Sequence, residues 1–228
     1  MKHNLTFKIL SLFFSIAFGN CGDTQKPISI SNLSFEEAKI RKSLIDNVNY
    51  DLYFDLTLKE KFYGKTKIQF HLNKQENARI DFDSGEISKL IINGIEKKNA
   101  EIIAGSLQIS KSDLQLGENE IIVVYSKSFS RNGTGLHRFI DPEDNSVYFY
   151  TQFEAYHANK VFPCFDQPDI KADFMMNVKV PKDFIVKSAT SPIVKSEGEF
   201  QIFEFPKSKI FSTYLFSIIA GPYAEWKS

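Results

Sequence analysis

Disulfide chemistry is the first thing this sequence lacks. Only Cys21 and Cys164 occur in its 228 residues, so no disulfide framework can staple the chain. Charge of one sign is missing too. The 28 basic residues balance the 28 acidic ones, and with no basic run there is no electrostatic footprint for a nucleic-acid partner. No internal repeat, heptad or low-complexity tract is present. The apolar run Ile9–Phe18 has the length of a signal peptide and is too short to span a bilayer. What the chain does have is 43% hydrophobic and 25% charged residues, enough to pack a core. Its 22 Phe and 9 Tyr favour strands, because aromatic side chains suit a pleated, half-buried surface.

The N-terminus carries an export pattern. Lys2 and Lys8 precede the apolar run, which stops at Gly19-Asn20-Cys21. A cysteine directly after such a run suggests a bacterial lipoprotein site, with Cys21 lipidated and a membrane as partner. The plainer alternative is an ordinary cleaved signal with an incidental cysteine. The expected division is therefore a signal over 1–20, a polar tether over 21–33 and a domain over 34–228, exported to the cell envelope. Cys164, between Phe162-Pro163 and Phe165, has no base beside it and reads as a small buried apolar residue.

Ser34 followed by Glu37 predicts a capping box and a short N-terminal helix with Phe35, Ala38 and Ile45 facing inward. Period-two patterns follow. Val48, Tyr50, Leu52, Phe54, Leu56 and Leu58 share one face; so do Thr66, Ile68, Phe70 and Leu72. Shorter strands are predicted at 78–82, 86–92, 100–104 and 107–109, with a tight turn at Asn93-Gly94 and a longer, more buried strand over 119–129. Residues 131–146 read as a long loop. Ala172, Phe174, Met176, Val178 and Val180 form another inward row, and further strands are expected at 184–189, 199–205 and 212–220. Many strands and little helix predict an all-β fold, an antiparallel sandwich.

The stretch VYFYTQFE, residues 147–154, puts Val147, Phe149, Thr151 and Phe153 on a core face and Tyr148, Tyr150, Gln152 and Glu154 on the other. On pattern alone that second row is a solvated strand face. An amide beside a carboxylate can also hold an ammonium group through charge-assisted hydrogen bonds. Neither residue can hydrolyse anything without a nucleophile, a metal or a second titratable group.

Residues 135–174, GLHRFIDPEDNSVYFYTQFEAYHANKVFPCFDQPDIKADF, resemble a segment of the M1 family of zinc aminopeptidases, the aminopeptidase N group. SFEEAKIRKSLIDNVNYDLYFDLTL (34–58) is similar to the start of that group's N-terminal domain, and FSTYLFSIIAGPYAEW (211–226) to its last strands. The resemblance implies a saddle-like, all-β N-terminal domain packed against a thermolysin-like catalytic domain, with a loop closing one side of the active site. It implies that Glu154 binds the free α-amino group of a peptide and that Gln152 lines the pocket for the first side chain.

The family's zinc motif, H-E-x-x-H, is not in this sequence. None of His3, His71, His137 and His157 is followed by Glu or has a histidine four residues on. The Gly-x-Met-Glu-Asn exopeptidase motif is absent as well. The expectation is therefore no catalytic residue, no metal ligand and no cofactor in these residues, with zinc belonging to a complete family member. The favoured reading is the substrate-gating domain of an exported aminopeptidase, inactive alone, whose partner is a peptide N-terminus once a catalytic domain is joined. One alternative is an exported lipoprotein acting as a peptide- or glycan-binding module; another is a structural envelope protein without a ligand.

Overall fold

The computed structural model describes residues 33–226. The expected export signal (1–20), Cys21 and nearly all of the expected tether (21–33) lie outside the described residues. Helix α1 (Phe35–Leu44) leads directly into β1 (Ile45–Asp55), and β2 (Lys61–Leu72) returns beside it. The short strands β3 (Ala78–Asp81), β4 (Glu86–Ile92), β5 (Ile95–Lys97), β6 (Ile102–Ile103) and β7 (Ser106–Ile109) precede the long β8 (Gly117–Ser128). Then come β9 (Gly135–Ile140), β10 (Val147–Gln152), β11 (Ala172–Pro181), β12 (Ile185–Lys187), β13 (Ile193–Glu197), β14 (Phe200–Phe205) and β15 (Ile219–Gly221).

These strands make three sheets. The largest runs β13-β14-β11-β1-β2-β8-β4-β5; a four-stranded sheet runs β12-β15-β10-β9; and a three-stranded one runs β3-β7-β6. The fold is all-β, as the period-two patterns require. One pairing departs from the antiparallel expectation: β1 and β11 run parallel, with Val48 opposite Ala172 and Asp55 opposite Lys179. A parallel pair needs a long crossover, and the intervening chain from β2 to β10 supplies it.

The inward rows meet in a core that is largely aromatic. Tyr50 and Phe54 of β1 both set their rings edge-on to Phe162, and Tyr50 also stacks on Phe174 of β11 at 5.1 Å. Such offset and edge contacts add to the stabilisation from burial itself. Leu58, expected inward, is 38% exposed because β1 has already ended at Asp55.

Helix α1 has the predicted capping box. The Ser34 hydroxyl accepts from the Glu37 N–H at 3.3 Å, and the Glu37 carboxylate accepts from the Ser34 N–H at 2.7 Å. Its inward face is different from the expected one. Phe35 is 72% exposed with the Lys39 ammonium over its ring, Ala38 is half-buried, and Ile45 belongs to β1. Arg41 and Leu44 are the buried helix residues. The helix is held to the sheets by a charged side chain, which a hydrophobic pattern cannot reveal.

Three further expectations are corrected. The segment 131–146 contains β9, paired along its length with β10. Residues 212–220 form a 3-10 helix, Thr213–Leu215, before the short β15. Finally, β13 was not expected: every one of its residues is exposed, so it shows no buried-exposed alternation.

Candidate functional site

Gln152 is the last residue of β10, and its position is set from both sides. It pairs with Gly135 of β9, while Phe149 and Tyr150 pair with Ala220 and Ile219 of β15. Just before it, the Thr151 N–H donates to the Ile218 carbonyl at 3.0 Å and the Thr151 hydroxyl accepts from the Ile218 N–H at 2.9 Å. Just after it, Phe153 is buried, lying parallel to Phe216 and edge-on to Phe162. Gly135 has φ +76°, and a Cβ there would stand 3.2 Å from the Lys160 Cβ. That close approach brings the start of β9, which pairs with the end of β10, against the 3-10 helix Ala158–Lys160.

The outward row holds as far as Gln152, where β10 ends; Glu154, expected on the same strand face, lies in the turn that follows. Tyr148 is half-buried, and Tyr150, Gln152 and Glu154 are exposed. Tyr148 lies against Tyr223 at 5.0 Å, and Tyr150 against His137 at 4.9 Å. Gln152 and Glu154 are brought together: the Gln152 amide oxygen accepts from the Glu154 N–H at 3.3 Å. The Glu154 carboxylate has no ion-pair or hydrogen-bond partner among the described residues. An exposed carboxylate beside an amide can accept N–H donors from a cation.

The chain beyond Glu154 is tied down by residues that the sequence did not single out. The Phe153 carbonyl accepts from the His157 N–H at 2.9 Å. Asp166, 1% exposed, accepts on one oxygen from the backbone and side-chain amides of Asn159, at 2.9 and 2.7 Å. Its other oxygen accepts from the Thr213 hydroxyl at 2.7 Å. The Asp166 N–H donates in turn to Asp81 at 3.0 Å, and Asp81 receives the Arg41 guanidinium at 2.6 Å. Arg41 also donates to Gln167. The turn carrying Glu154 is thus linked to α1 and β3 through one buried polar network. The partners are too far apart in sequence to be paired by spacing.

Burial governs the chemistry of this network. It pushes the Asp81 carboxyl up from its ordinary range, and Arg41 opposes that shift. Burial also drives the Cys164 thiol well up, with Asp166 and Asp81 adding to the effect. A thiol so placed is no nucleophile, in keeping with the structural role read from its neighbours.

The donor set does not fit a zinc ion. His71 is bonded to Glu118 on the solvent side of β2, His137 accepts from the Gly133 N–H, and His157 precedes the 3-10 helix. Among the described residues no three of His, Cys, Asp or Glu gather as a metal-holding group.

Residues 46–215 match the Peptidase M1 N-terminal domain. The chain belongs to the M1 peptidase family. It is 32% identical to aminopeptidase N of Streptomyces lividans over 198 residues, covering 85% of this chain and 22% of that protein. It is 29% identical to a probable aminopeptidase 1 of Sulfurisphaera tokodaii over 194 residues, or 80% of this chain and 22% of that protein. A shorter match, 41% identical over 73 residues, covers 31% of this chain and 8% of aminopeptidase M1 of Arabidopsis thaliana. The chain thus spans about a fifth of the length of the first two relatives. Gln152, Glu154 and the members of the Asp166 network other than Arg41 lie within the matched M1 domain.

Proposed function

We propose that this M1 domain recognises the free amino end of a peptide for an aminopeptidase. The Glu154 carboxylate receives the α-ammonium, and Gln152 borders the space for the first side chain. The observation that carries the reading is the unpartnered Glu154 carboxylate, on a residue whose backbone N–H donates to Gln152 just past a strand end anchored by Phe153. An anion discriminates a free amine from a blocked one by charge as well as by hydrogen bonding. The reaction, release of N-terminal residues, requires a zinc site of the H-E-x-x-H type, which these residues do not contain. By themselves they are proposed to be inactive.

The test is a fusion. The N-terminal domain of the Streptomyces lividans aminopeptidase N is replaced by residues 34–228 of this chain. The fusion is expected to cleave leucine p-nitroanilide, while the 228-residue chain alone does not, with or without added zinc. In the fusion, Glu154→Gln is expected to lower kcat/KM by about tenfold or more, mainly through KM. Unchanged kinetics in that variant would remove Glu154 from the reading; turnover by the chain alone would remove the proposed inactivity.

Export through residues 1–20 and lipid attachment at Cys21 are part of the proposal and rest on the sequence pattern alone. Intact-mass measurement of the chain expressed in a lipoprotein-processing bacterium checks them: a diacylglyceryl mass on Cys21 is expected. Nothing in the fold or the relatives favours the glycan-binding alternative.

A further inference from the structure

A second polar group without a partner lies on the opposite side of the four-stranded sheet from Gln152 and Glu154. Arg138 of β9 is in register with Phe149 of β10, so the two side chains rise from the same face. That face is the inner one: Phe149 is 2% exposed and meets Phe129 at 4.8 Å and Phe184 at 6.2 Å. Because β9 is the outermost strand of its sheet, Arg138 stands where the inner face runs out. Its Nε is buried and has no hydrogen-bond partner among the described residues.

Beside Arg138 opens a groove of about 390 Å³, at the corner where the small sheet meets the ends of β1 and β11. Leu56, Leu58, Val147, Phe184 and Pro181 form an apolar side of it, and Thr57, Asn145 and Ser146 are among its polar lining. Lys59 and Asp183, both exposed, also line it. With Arg138 they leave the groove one positive charge in excess.

We propose that this groove binds a small carboxylic acid bearing an apolar chain. Arg138 is only half-buried and lines the groove, and its guanidinium has no ion-pair or hydrogen-bond partner among the described residues. The two Nη groups of a guanidinium form a fork that matches the two oxygens of a carboxylate. A carboxylate in the groove therefore gives the guanidinium the acceptor that the protein does not. The apolar chain lies along Leu56, Val147 and Phe184, out of water. A neutral hydrocarbon would fill the groove and leave the guanidinium unpaired. A fully polar anion would pair with it and leave the apolar wall wet. The volume falls in the range of about 300–1,000 Å³ usual for small-ligand sites, more than a bare carboxylate needs. This site is independent of the role assigned to Glu154.

Isothermal titration of the full chain with octanoate, octanamide and acetate tests the proposal. Octanoate is expected to bind one-to-one, with the amide and acetate weaker by about tenfold or more. Arg138→Gln is expected to weaken octanoate by about tenfold or more with thermal unfolding unchanged, since Arg138 has no protein partner to lose. Should that variant fail to fold, Leu58→Glu decides. Leu58 is partly exposed, and a carboxylate on the groove wall must repel the ligand. The proposal is overturned if octanoate and octanamide bind alike, if no probe binds, or if the variant that folds binds octanoate as the unaltered chain does.

Discussion

Asp166 shows at the scale of one residue how the candidate site is held. Its two oxygens accept three donors, from Asn159 and Thr213, inside the protein. Asp166→Ala strands all three, and each buried unsatisfied group costs about 1–3 kcal/mol. A loss of about 3 kcal/mol or more in urea unfolding is expected. Arg41 and Asp81 add a pH dependence. Folding raises the Asp81 carboxyl above its ordinary 3.8, so its contribution favours the folded chain below that value and is lost as pH rises through the folded value. Arg41→Met removes the nearer of two opposing cations, leaving Arg79 at 3.3 Å, and raises that carboxyl further. Its cost, about 3–5 kcal/mol near neutral pH for a broken buried pair, is expected to shrink toward about pH 4. Urea unfolding at the two pH values checks this; an equal cost at both would show that Asp81 does not carry the charge. Cys164 was legible as buried from its aromatic neighbours. Its thiol is expected to react with iodoacetamide only as fast as the chain opens, which labelling across a urea series would reveal.

At the scale of elements, legibility followed burial. Strands β1, β2 and β11 each have one face in the core, so their alternation could be read from the sequence. By contrast, β13 is wholly exposed and β15 only three residues long; neither has a buried row long enough to read. Helix α1 was found by its cap and misplaced by its hydrophobic residues, because Arg41 rather than Phe35 anchors it. Gly64 in β2 has a role that no local rule suggests. A Cβ there would lie 2.3 Å from the Tyr125 ring of β8, the strand paired with β2. That ring is held edge-on by Phe62 and Phe82 and cannot step aside. Gly64→Ala is expected to cost about 1–3 kcal/mol by overpacking, and measurably less in a Tyr125→Val background. A double-mutant cycle in urea measures the difference; additive costs would mean that the ring is not the obstacle.

For the whole molecule, stability and function should separate at Glu154. The carboxylate is exposed and has no partner among the described residues, so Glu154→Gln is expected to leave thermal unfolding of the 228-residue chain unchanged. The same substitution in the fusion enzyme is expected to weaken use of free-amine substrates. A drop in Tm comparable to that of Asp166→Ala would instead make Glu154 a structural residue. Phe149 and Phe153 are buried in the core, while Tyr150, Gln152 and Glu154 face solvent.

By itself the sequence determined the all-β class, the inward rows of the long strands, the capped helix and the outward row Tyr148, Tyr150 and Gln152 of one strand. All of these depend on residues within a few positions of each other, where the strand period and local hydrogen bonds operate. Only the tertiary structure decided the parallel β1–β11 pairing, the Arg41–Asp81–Asp166 network and the Arg138 groove. Each joins segments tens of residues apart, and burial there turns an ordinary charge into a group that must find a partner.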